Sequence, residues 1–416
     1  MVKQNILALA VHQTADDDAS FESSLDELIS LCETAGGDVR NIVTQNRHTV
    51  HAAHYIGKGK IEDVQALIKE NEIELIVAND ELTPSQSRNL NDELAVPIID
   101  RSQLILDIFA QRAKTKEGQL QVELAQLQYM LPRLRGQGAL MSRLGAGIGT
   151  RGPGETKLET DQRHIRRKIH DIKRRLNSIV KQREQYRKRR KTKDMFQIAI
   201  VGYTNAGKST LFNRITSSHT LEEDQLFATL DPLTREIRMP SGFRTLLTDT
   251  VGFIQDLPTT LIAAFRSTLE EVSEADFILH VVNSADPDLE QQQKTVQALL
   301  EDLNAQHIPT LTVYNKKDLL TEPFIPSYHP NILMSAYAPD DVKRMLEKVE
   351  HMLKDEWSMY HVSIPPQEGH VFNRLKLDSI IRSQYFDEEK QTYVVSGYIR
   401  NNHPLNGLLK EKSTND

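Results

Sequence analysis

The stretch Gln197-Ile198-Ala199-Ile200-Val201-Gly202-Tyr203-Thr204-Asn205-Ala206-Gly207-Lys208-Ser209-Thr210 decides how this chain folds. QIAIV is a short unbroken apolar run, the pattern of a buried strand. TLFNRI, from Thr210 to Ile215, reads as the first turns of a helix. Between them stands GxxxxGKS. Strand, glycine loop and helix in that order form the setting in which backbone N–H groups and a helix N-terminus cradle phosphates. Lys208 is expected to reach the β- and γ-phosphates, and the Ser209 hydroxyl to bind Mg²⁺. A chance match in a chain this long is on the order of 1% at average residue frequencies. A glycine-rich turn without chemistry is therefore a poor reading.

Three further motifs follow in order. Asp249-Thr250-Val251-Gly252 closes the apolar run FRTLLTDT. Asp249 is expected to hold Mg²⁺ through water, and the Gly252 amide to face the γ-phosphate. Asn315-Lys316-Lys317-Asp318 closes TLTVYN. A carboxylate at Asp318 accepts both N1–H and the N2 amino group of guanine. Adenine lacks both donors in that geometry and would leave the acceptor unpaired, so the nucleotide is GTP or GDP. Ser335-Ala336, followed by Tyr337, ends a further run and offers amides to the guanine O6. A threonine that binds Mg²⁺ and γ-phosphate must lie between Ser209 and Asp249. Thr229, in Phe227-Ala228-Thr229-Leu230-Asp231, is the first candidate, and Thr220 the second. The predicted nucleotide site is thus residues 202–210, 227–231, 249–252, 315–318 and 335–337. Within it Lys208, Thr229 and Gly252 act on the reaction, and Ser209 and Thr229 hold the metal. Phe253 occupies the position after Gly252 where a water-orienting glutamine often stands. A phenyl ring cannot hydrogen-bond water, so intrinsic hydrolysis is expected to be slow unless another group, with Asp231 and Gln255 near in sequence, or a partner supplies the contact.

The rest of the chain of 416 residues divides by pattern. Residues 1–103 alternate strand-like runs (NILALAV, IELIVAND, VPIID) with helical ones (SLDELISLC, KIEDVQALIKE, TPSQSRNLNDEL), which predicts a parallel α/β sheet. In 104–193 two stripes recur at heptad spacing: Leu120, Leu124, Leu127, Leu131 and Leu134, then Ile165, Ile169, Ile172, Leu176 and Ile179. They predict a coiled-coil hairpin. Its tip, residues 136–154, holds seven of the nineteen glycines. Pro132 must kink or end the first helix. Residues 194–357 form the α/β nucleotide domain. Residues 358–416 form a small α+β domain with no chemistry legible in it. The fold class is therefore multidomain α/β.

Charge is unevenly spread. Residues 163–193 carry a net +13 in a chain whose total is −7, which leaves −20 for the remainder. A concentrated basic arm on an acidic protein predicts a polyanion partner, with contacts to phosphate that weaken in salt. Arg143 and Arg151 in the glycine-rich loop are further candidates for RNA contact. The single cysteine, Cys32, excludes an internal disulfide and fits a reducing, cytoplasmic location. No run of 18 apolar residues is present, so no membrane insertion is expected.

Taken with YIGKGKIEDV (55–64), NDELTPSQSRNL (79–90) and GIGTRGPGETKLE (147–159), the motifs GYTNAGKST, FATLDP, DTVGFI and NKKD resemble the HflX family of ribosome-associated GTPases along the whole chain. The residue after DTVG is apolar in that family also. The resemblance implies binding to the large (50S) ribosomal subunit and its rRNA through the basic helix 163–193 and the loop 136–154. It implies splitting of stalled or idle ribosomes, with hydrolysis stimulated by the ribosome and driving release. It also implies an ATP-dependent activity on ribosomal RNA in the N-terminal half. The alternatives are an assembly factor or RNA-remodelling protein in which nucleotide serves as a timer.

Other features weigh less. Gly147-Ile148-Gly149-Thr150-Arg151-Gly152 spells GxGxxG, but no buried strand precedes it, so a dinucleotide site is rejected. His51 and His54 lack the neighbours of a metal site. Trp357 is expected to pack at the last domain junction. The coiled coil is expected to close within one chain, giving a monomer; pairing between chains is the alternative.

Overall fold

The computed structural model describes residues 3–14, 17–134, 153–192, 195–216, 226–227, 229–255 and 271–413. The glycine-rich tip through residue 152, with Arg143 and Arg151, lies outside the described residues, as do Thr220 and Ala228. Contacts divide the chain into two compact units. One is 1–182 with the described parts of 223–231 and 253–267; the other is 183–222, 232–252 and 268–416.

The first unit is built on a parallel sheet. β1 (Gln4–Gln13) is buried without a break from Ile6 to Val11, as a central strand covered on both faces must be. α1 (Asp18–Thr34) returns the chain to β2 (Gly37–Arg47), then α2 (Lys58–Glu70) leads to β3 (Leu75–Ala78). α3 (Pro84–Leu94) opens with a reciprocal capping box between Thr83 and Gln86, and with proline in its first turn. β4 (Ile98–Asp100) passes directly into α4 (Arg101–Arg112), because the Asp100 carboxylate accepts the Gln103 N–H at 2.9 Å and starts the helix. Strand order is β2-β1-β3-β4, every pair parallel.

α5 (Lys116–Arg133) and α6 (Pro153–Thr192) carry the heptad stripes. Leu120, Leu124 and Ile172 are buried together, flanked by Leu127, Ile169, Leu176 and Ile179. The stripes therefore meet in one chain. Pro132 stands in the last turn of α5, where the helix ends.

The second unit carries a six-stranded sheet. β5 (Phe196–Gly202), α7 (Lys208–Thr216), β6 (Leu233–Arg238), β7 (Arg244–Asp249), β8 (Phe277–Asn283), α8 (Leu289–Asp302), β9 (Thr310–Asn315), β10 (Asn331–Leu333) and α9 (Pro339–Glu356) follow in order. The sheet order is β10-β9-β8-β5-β7-β6, parallel except for the antiparallel edge pair β6–β7. β11 (Ser358–Ile364), α10 (Gly369–Asp378), β12 (Ile380–Asp387), β13 (Thr392–Ile399) and α11 (Leu405–Ser413) add a three-stranded antiparallel sheet, order β11-β13-β12. Its Ile380 belongs to the core of the six-stranded sheet, beside Trp357, Phe196 and Phe243, and Tyr398 packs against that core. Trp357 meets both phenyl rings edge-on, 5.5 and 5.3 Å away. Among the described residues, no helix is long and apolar enough to cross a membrane.

Candidate nucleotide site

Parallel strands end on the same edge of their sheet, and that edge is where open α/β sheets bind ligands. Gly202 ends β5, Asp249 ends β7, Asn315 ends β9, and Ser335-Ala336 follows β10. Four motifs far apart in sequence are thus brought to one edge by the topology alone.

The loop after β5 is shaped by glycine at two positions. Gly202 has φ +152°, and a Cβ there would stand 2.1 Å from the Val281 carbonyl oxygen. Gly207 has φ +90°, and its Cβ would meet the Asn315 amide nitrogen at 2.3 Å. Asn205 adopts φ +57°, which asparagine tolerates better than most residues. A third close approach involves Gly252, whose added Cβ would stand 3.0 Å from Lys208 Nζ. The loop therefore closes on itself with room for backbone only, the form of a phosphate cradle.

Lys208 is buried, and its ammonium donates to the Tyr203 carbonyl at 2.6 Å. Burial pushes its pKa down to about 8, partly offset by Asp249. A buried cation so poorly compensated attracts an anion. Ser209 Oγ donates to Asp249 Oδ2 at 2.9 Å, which sets two hard oxygen ligands side by side. Thr250 anchors the next motif by donating to the Ile200 carbonyl at 2.7 Å. Burial and the Lys208 charge push His280, on β8, down to about 4, so it is neutral at physiological pH.

Asn315 ties the loops after β9 and β10 to the loop after β5. Its Nδ2 donates to the Ala206 carbonyl at 3.0 Å, and its Oδ1 accepts the Ala336 N–H at 2.9 Å. Lys316 stands in the left-handed region at φ +63°, turning the chain so that Asp318 is exposed. Lys316 Nζ donates to Asn205 Oδ1 at 3.4 Å. Tyr337 is also exposed, with the Arg214 guanidinium 5.4 Å from its ring centre.

Some supporting residues have no sequence signature. Ser284 Oγ donates to the Asn315 carbonyl at 2.6 Å. Asp341 accepts the Ser335 N–H at 2.9 Å and so fixes the loop that carries Ala336. Burial alone would push the Asp341 carboxyl up; the Ser335 N–H and Arg344 outweigh it and hold it below the usual carboxylate range. Both residues act through contacts made by tertiary folding, which spacing along the chain does not reveal.

The segment around Thr229 is placed differently. Phe227, Thr229, Leu230 and Asp231 fall in the N-terminal unit, while residues 202–210, 249–252, 315–318 and 335–337 fall in the other. The Asp231 carboxylate accepts the backbone N–H groups of Lys114 at 3.0 Å and Thr115 at 2.9 Å. Phe253 is buried at 2% exposure, so the position after Gly252 offers no polar group to water.

A phosphate-shaped loop, a buried lysine at its base and an NKxD strand end make this protein a P-loop GTPase. Comparison with known proteins places it more narrowly. Profiles described as GTP-binding GTPase N-terminal, GTP-binding GTPase Middle Region and 50S ribosome-binding GTPase match residues 22–110, 112–190 and 197–316. The GTPase HflX of Alkalihalophilus pseudofirmus is 53% identical over 401 residues, covering 96% of this chain and 95% of that protein. That of Caldanaerobacter subterraneus is 47% identical, covering 93% and 89%. That of Escherichia coli K12 is 40% identical, covering 92% and 91%. The chain belongs to the HflX family of GTPases.

Proposed function

We propose that this GTPase acts on the large ribosomal subunit, grips rRNA with the cationic side of α6, and splits stalled or idle ribosomes, with hydrolysis resetting the cycle. The observation that carries the RNA contact is the division of α6 into two sides. Ile172 is buried in the seam with α5, whereas Arg163, Arg166, Arg167, Lys173, Arg174 and Arg175 are all exposed. Clustered cations on a rigid helix match the charge spacing of a phosphate backbone. The profile matched by the nucleotide domain is described for 50S binding, which supports the same partner. A seam satisfied within one chain supports a monomer, and the partner and the single buried Cys32 support a cytoplasmic location.

At the nucleotide, the amides of residues 202–209 cradle the β-phosphate and Lys208 bridges the β- and γ-phosphates. Asp318 reads the guanine edge, and the loop of Ser335, Ala336 and Tyr337 lies on the side of its O6, with the Ala336 N–H itself held by Asn315 Oδ1. Ser209, Thr229 and Asp249 are the residues that would hold Mg²⁺. When bound, the metal would neutralise charge on the phosphates. A water oxygen attacks the γ-phosphorus, the bond to the β–γ bridging oxygen breaks, and GDP leaves with that electron pair. The protons of the water pass to the released phosphate. The Gly252 amide and Lys208 stabilise charge as it moves. Neither Phe253 nor Asp231, whose carboxylate is held by Lys114 and Thr115, is set to orient the water. Hydrolysis is therefore slow until another group or a partner supplies that contact.

The test is the GTP hydrolysis rate of the pure protein, alone and with purified large subunits, at two salt concentrations. The expected result is slow intrinsic turnover and strong stimulation that fades as salt rises. Fast intrinsic turnover with no response to subunits would refute the partner and the role given to Phe253.

A further inference from the structure

The segment that carries Thr229 is bolted to the N-terminal unit at three points. Leu226 donates its N–H to Thr34 Oγ1 at 3.3 Å, at the end of α1. Phe227, at φ +57° and 2% exposure, lies edge-on to Phe109 of α4 with ring centres 4.5 Å apart. Then comes the most specific contact. The Asp231 carboxylate caps the N-terminus of α5: it accepts the Lys114 and Thr115 N–H groups and the Thr115 hydroxyl. Thr115 Oγ1 in turn accepts the Gly118 N–H at 3.0 Å, as a helix cap does. The negative charge also meets the positive end of an 18-residue helix.

The receptor is cut to fit. Gly118 sits in the first turn of α5, where alanine would favour the helix. A Cβ there would stand 2.4 Å from Asp231 Oδ1. Glycine at this position makes the helix weaker and leaves space for the carboxylate. The hydrophobic contacts alone would not require it.

One residue separates Thr229 from Asp231, and Leu233, two beyond Asp231, stands in register opposite Asp249. The chain thus passes from the α5 cap to the strand beside the nucleotide site within three residues. A loop ordered at one end costs less entropy to order at the other. We propose that Asp231 is a coupling residue: docking its carboxylate on α5 and docking Thr229 on Mg²⁺·GTP favour each other, so that the N-terminal unit senses which nucleotide is bound. GDP, which lacks the γ-phosphate, draws on Thr229 little and is left out of the coupling. The inference rests on the role proposed above for Thr229.

The variants Thr115→Val and Gly118→Ala remove the cap and fill its space without touching the nucleotide site. Binding of GDP and of a non-hydrolysable GTP analogue to the full chain is measured with Mg²⁺ present. The expected result is analogue affinity weakened roughly fivefold, at the lower end of usual site–site coupling, with GDP affinity unchanged. Thr115→Ser should restore it. In the unmodified protein, hydrogen exchange at the amides of Lys114 and Thr115 should be slower with the analogue than with GDP, and this difference should vanish in Gly118→Ala. Equal loss for both nucleotides, or no loss for either, overturns the coupling. Thr229→Ala separates the two readings. If it leaves analogue affinity intact, Thr229 itself is misassigned; if it weakens the analogue while the α5 variants do not, the coupling alone fails.

Discussion

At Lys208, burial and function pull in opposite directions. Desolvation brings its pKa down to about 8 from 10.5. The unfolded chain therefore binds more protons than the folded one between those values, and from this group the nucleotide-free protein gains stability as pH rises from 8 to 10.5. Nucleotide binding has the opposite sign, because a phosphate beside the ammonium restores its charge. GDP affinity should be level up to about pH 8 and then fall, approaching about tenfold per unit. A calorimetric titration between pH 7 and 9 checks it, and a flat profile would show that Lys208 stays charged in the free protein. The loop that buries Lys208 was legible in sequence because its close turns tie glycine to fixed spacing. Ser284, Asp341 and Gly118 were not, because each contributes through a partner that only the fold brings near.

Among elements, legibility followed periodicity. The runs NILALAV, IELIVAND and TLTVYN became β1, β3 and β9, since a buried parallel strand must be apolar throughout. β6 escaped notice: LTREIR lies on the sheet edge with only Ile237 buried, so its pattern is that of a polar loop. α4 follows β4 with no turn residue to announce it. The heptad stripes gave the α5–α6 seam directly. Its centre is Ile172, 3% exposed against Leu120 and Leu124. Ile172→Ala should cost about 2–4 kcal/mol of stability in the N-terminal unit, as a buried cavity does, measured by urea unfolding. GDP affinity should be unaffected, since residues 202–210 and 315–318 belong to the other unit.

For the whole molecule, reading along the chain draws contiguous boundaries, whereas contacts assign the described part of 223–231 to the N-terminal unit. No sequence signal marks a segment whose partners, Phe109 and Thr115, lie more than a hundred residues away. The proposed splitting belongs to the scale of the intact chain, and sucrose gradients of 70S ribosomes incubated with the protein and GTP analogue test it. Free subunits should accumulate, and fewer should do so when the exposed arginines of α6 are replaced by glutamine. A stable protein–50S complex without loss of 70S would favour a factor whose nucleotide only times attachment.

Because Ile380 completes the core around Phe196, Phe243 and Trp357, the nucleotide-binding unit cannot finish closing while the chain is being made until that late residue emerges. The first sheet is complete by Asp100. At usual rates of synthesis the interval between the two is on the order of tens of seconds. Each new copy therefore spends that time with a finished N-terminal sheet and an immature GTPase, and gains its switch only once Ile380 has emerged.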